Sequence, residues 1–89
     1  MSDAQKHQEC TERFIALANS LRDDGYDIKL VSAALMSASG IYATFSVAGN
    51  AGGLKPSGVD KVVDTYRKNL ERIQSIKKAN ATAAEGQSN

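Results

Sequence analysis

His7 and Cys10 are the chain's only histidine and only cysteine, and they stand one helical turn apart. Imidazole and thiolate three residues apart face the same side of a helix, so the pair has the spacing that opens a metal site. A closed zinc site takes four protein ligands, and no further Cys or His exists to complete it. A nucleophile also needs a base, and the base a group that orients it. His7 could serve as the base, but no residue is marked out to orient the pair. The pair therefore reads as an exposed imidazole and a thiol packed into an apolar face.

The second stretch with chemical potential is Gly52-Gly53-Leu54-Lys55-Pro56-Ser57. Glycines before a Lys and a Ser resemble a phosphate-binding loop, in which free backbone amides cradle an anion. The Gly-Lys-Ser/Thr ending is missing, however, and no strand-like segment precedes the loop. The amides of Gly58 and Val59 would hold an anion only as weakly as any helix start does. No catalytic residue, no cofactor-binding residue and no metal ligand is assigned, and the expectation is a protein that is not an enzyme.

The segments around these residues show what the chain is built to do. From Leu30 to Leu54 it carries 25 residues without a formal charge, rich in Ala, Ser and Gly. Such a run needs a cover. It is long enough to cross a bilayer, but between Leu30 and Ala48 only seven of nineteen residues are Leu, Ile, Val, Met or Phe. That dilution argues against a membrane span and for close packing against other helices.

Three helices are predicted. The first, about 4–24, has Cys10, Phe14, Leu17 and Leu21 on one face, and Gly25 is suited to end it. Asp27 is the predicted N-cap of the second, 28–48, with Tyr26 and Val31 at the two positions of a hydrophobic staple. A glycine-rich connector follows. The third helix, 57–78, is expected to start with Ser57 as its cap, in a capping box with Asp60. It carries Val59, Val62, Val63, Tyr66, Leu70, Ile73 and Ile76 on one face, with Asp64–Lys68 and Arg67–Glu71 pairs outside. Residues 79–89 offer nothing to bury and are expected to be disordered. The fold class is thus all-α: one antiparallel three-helix bundle-like domain over residues 1–78, with a central small-residue-rich helix and a disordered C-terminal tail.

On the second helix apolar groups go nearly all the way round. What remains is a line of Ser32, Ser39 and Ser46 at seven-residue spacing, with Gly40 and Ala43 beside it. Serine hydroxyls on a helix bond to the backbone one turn earlier, and small side chains let another backbone come close. Exposed helix faces normally collect Lys and Glu, and this one has neither. Ser32, Met36, Ser39, Gly40, Ala43, Ser46 and Val47 form the candidate interface, most simply with a second copy of the chain.

Net charge is +1 but unevenly placed: residues 1–27 hold six acids and three bases, and residues 60–78 six bases and three acids. The simplest consequence is attraction between helices across a solvated surface. The alternative is nucleic-acid association through Lys61, Arg67, Lys68, Arg72, Lys77 and Lys78. Asp60, Asp64 and Glu71 interrupt that surface, and no two-helix unit has the short turn of a helix-turn-helix. Nucleic acid and membrane are therefore not the expected partners. A lone cysteine and an N-terminus without a signal-like apolar stretch or lipidation pattern lead to an expected cytoplasmic location.

Phe14-Ile15-Ala16-Leu17-Ala18-Asn19, Val31-Ser32-Ala33-Ala34-Leu35-Met36, Tyr42-Ala43-Thr44-Phe45 and Gly52-Gly53-Leu54-Lys55-Pro56-Ser57-Gly58-Val59-Asp60 together resemble an uncharacterised, mainly proteobacterial family, domain-of-unknown-function family 3144. The resemblance spans most of residues 14 to 75. Its segments are packing and loop segments rather than reaction signatures. It implies a bacterial, cytoplasmic helical protein and carries over no activity, ligand or catalytic residue.

Overall fold

The computed structural model describes residues 2–50 and 52–88. Within them the chain is all-α, three helices in the order α1 (Asp3–Asp23), α2 (Ile28–Ala48) and α3 (Pro56–Ser88). It divides into two compact units, Met1–Ser46 and Val47–Asn89.

In the first unit, α1 begins with a reciprocal cap that the sequence expectation did not include. The Gln5 amide donates to Ser2 Oγ at 3.2 Å, and the Ser2 amide donates to Gln5 Oε1 at 2.8 Å. Two of the four amides left free at a helix start are satisfied this way. At the other end Gly25 takes φ +103°, a conformation that costs side-chain-bearing residues. This lets the amides of Gly25 and Tyr26 reach back to the carbonyls of Arg22 and Leu21, at 3.0 and 3.2 Å. Asp27 caps α2 as expected: its carboxylate accepts from the Lys29 amide at 3.3 Å and its carbonyl from the Val31 amide at 3.0 Å. Between the two helices, Ala18, Asn19 and Arg22 line one open groove with Ile28, Val31, Ser32 and Leu35. The last turns of α1 therefore lie beside the first turns of α2, as in a helical hairpin.

The second unit corrects one expectation. Helix α3 starts at Pro56, so Lys55 is the cap and Ser57 stands inside the first turn. The Lys55 carbonyl accepts from Gly58 and Val59 at 2.8 and 3.0 Å. Proline sets this start: its fixed φ is already helical, and its missing N–H would have had no partner there. Leu54 lies over Gly58, its Cβ 3.4 Å from where a Gly58 Cβ would stand. At the far end, helical backbone runs to Ser88. Ala79, Ala81, Ala83 and Ala84 are the residues best suited to extend a helix already formed, and no proline interrupts them. Ala51 in the connector and Asn89 in the tail lie outside the described residues. The Asp64–Lys68 pair forms at 3.0 Å, whereas Arg67 and Glu71 are not paired.

Candidate functional site

Burial defines the site by its scarcity. Among the described residues Val31 alone is buried, at 8% exposure. It sits in the first turns of α2, where the Tyr26–Asp27 entry and the end of α1 converge. Helix positions 28, 31, 35, 42 and 45 lie along one stripe, and its exposure is uneven: 63% at Ile28, 8% at Val31, 39% at Leu35, 71% at Tyr42 and 48% at Phe45. Ala18 of α1 lines the groove at the turn end and, like Leu21, is half-buried. The first turns of α1, Asp3–Cys10, are almost wholly polar. Cys10, expected in a packed face, is exposed, and so is His7.

The structure separates the candidate interface residues. Ser32 borders the groove shared with α1. Met36, Ser39, Gly40, Ser46 and Val47 are exposed, and Ala43 is half-buried. The Ser46 hydroxyl donates to the Ala43 carbonyl at 2.8 Å, and the Thr44 hydroxyl to the Gly40 carbonyl at 2.8 Å. These side chains thus satisfy a donor internally and can be covered at low cost. Reasoning from small residues missed the aromatic pair beside them: Tyr42 and Phe45 have ring centroids 5.9 Å apart, tilted by 51°. Their i,i+3 spacing was the available signal.

By length and composition α2 can cross a membrane: its mean hydropathy reaches 1.5, and 6% of that window is buried. The expectation from large side chains alone undervalued its alanines, which also count as apolar. In the groove with α1 the helix borders Asn19 and Arg22, and Arg22 is paired with Asp23 at 3.4 Å.

On α3, Lys61, Lys68 and Arg72 share one face, and Lys68 is engaged by Asp64. Arg72 donates to Asn69 Oδ1 at 3.1 Å. Among the described residues no group of three or more His, Cys, Asp or Glu side chains is placed to share a metal ion.

Helices, caps and exposed apolar side chains define a small all-α helical protein. The chain belongs to the family described as "Protein of unknown function (DUF3144)", which it matches over residues 7–73. No curated protein and no solved structure matches it.

Proposed function

We propose that this is a non-enzymatic bacterial protein of the cytoplasm that works by protein association, as a homodimer sealed through α2. The carrying observation is that a 21-residue helix without a formal charge after Lys29 contributes one buried residue, Val31. Exposed apolar surface on this scale marks interaction sites in soluble proteins. The stripes of α1 and α3 support association in water over membrane insertion. Each pairs an apolar face with a charged one, as helices at an aqueous interface do. Small Ser39, Gly40, Ala43 and Ser46 would let a second helix approach closely.

Sedimentation of wild type beside Ser39→Glu tests the reading. At roughly tens of micromolar, where weak interfaces begin to fill, wild type is expected as a dimer and Ser39→Glu as a monomer. A wild type that stays monomeric contradicts it.

A further inference from the structure

We draw no further inference here: the strongest candidate, the exposed apolar stripe around Tyr42 and Phe45 on α2, supports no proposal because nothing in the structure shows what covers it.

Discussion

Val31 and Tyr42 lie three helical turns apart on one face of α2, and one is 8% exposed while the other is 71%. Ala18, Asn19 and Arg22 of α1 line the groove that Val31 borders. Stability within the first unit is therefore concentrated at Val31. Val31→Ala is expected to cost roughly 1–2 kcal/mol, read by urea unfolding at a protein concentration low enough to exclude association. No loss would mean that the hairpin is held elsewhere.

The start of α2 depends on Asp27, whose carboxylate meets the Lys29 amide. Asp27→Ala should lower stability by about 1 kcal/mol, and Asp27→Asn should retain most of it, because the amide oxygen can accept the same bond. Thermal unfolding monitored by circular dichroism distinguishes the two. Equal losses would show that charge rather than the hydrogen bond matters.

Gly25 has φ +103°, and nothing lies within 4 Å of the position its Cβ would take. Gly25→Ala should therefore destabilise by about 1 kcal/mol or more through backbone strain alone. An unchanged melting temperature would show that the turn can relax into another conformation.

Ser57→Ala separates two accounts of the α3 start. A capping serine would cost about 1 kcal/mol on removal. With Pro56 as the first helical residue, the change is expected to stay within about 0.5 kcal/mol. A full-sized loss restores Ser57 to the cap.

The sequence carried the helices well because their signals are local. The 4,3,4 spacing of Cys10, Phe14, Leu17 and Leu21, the Gly25 stop and the Asp27 cap all act within a turn or two. Pro56 was readable too, but Ser57 competed as a conventional cap. The length of α3 was less legible, because past Ala79 no apolar face marks a helix and only alanine propensity favours one. The Tyr42–Phe45 surface was hidden for a different reason. Tyr42 belongs to the same apolar stripe as Val31, and periodicity alone does not mark which members of a stripe are buried.

The basic residues of α3 include Lys68, engaged by Asp64 at 3.0 Å. Binding to duplex or single-stranded nucleic acid is accordingly expected to be weak and to vanish at physiological salt. Fluorescence anisotropy across a salt series measures it. Tight binding with a steep salt dependence, lost in the Lys68→Ala, Arg72→Ala double variant, would favour the nucleic-acid alternative.

The central claim is that α2 is covered by a second copy of the chain. Sedimentation equilibrium of the wild type over a dilution series tests it most directly. The prediction is a mass near twice the 9.5 kDa of one chain, falling toward the single-chain value on dilution. A mass that stays at one chain across the series would contradict it.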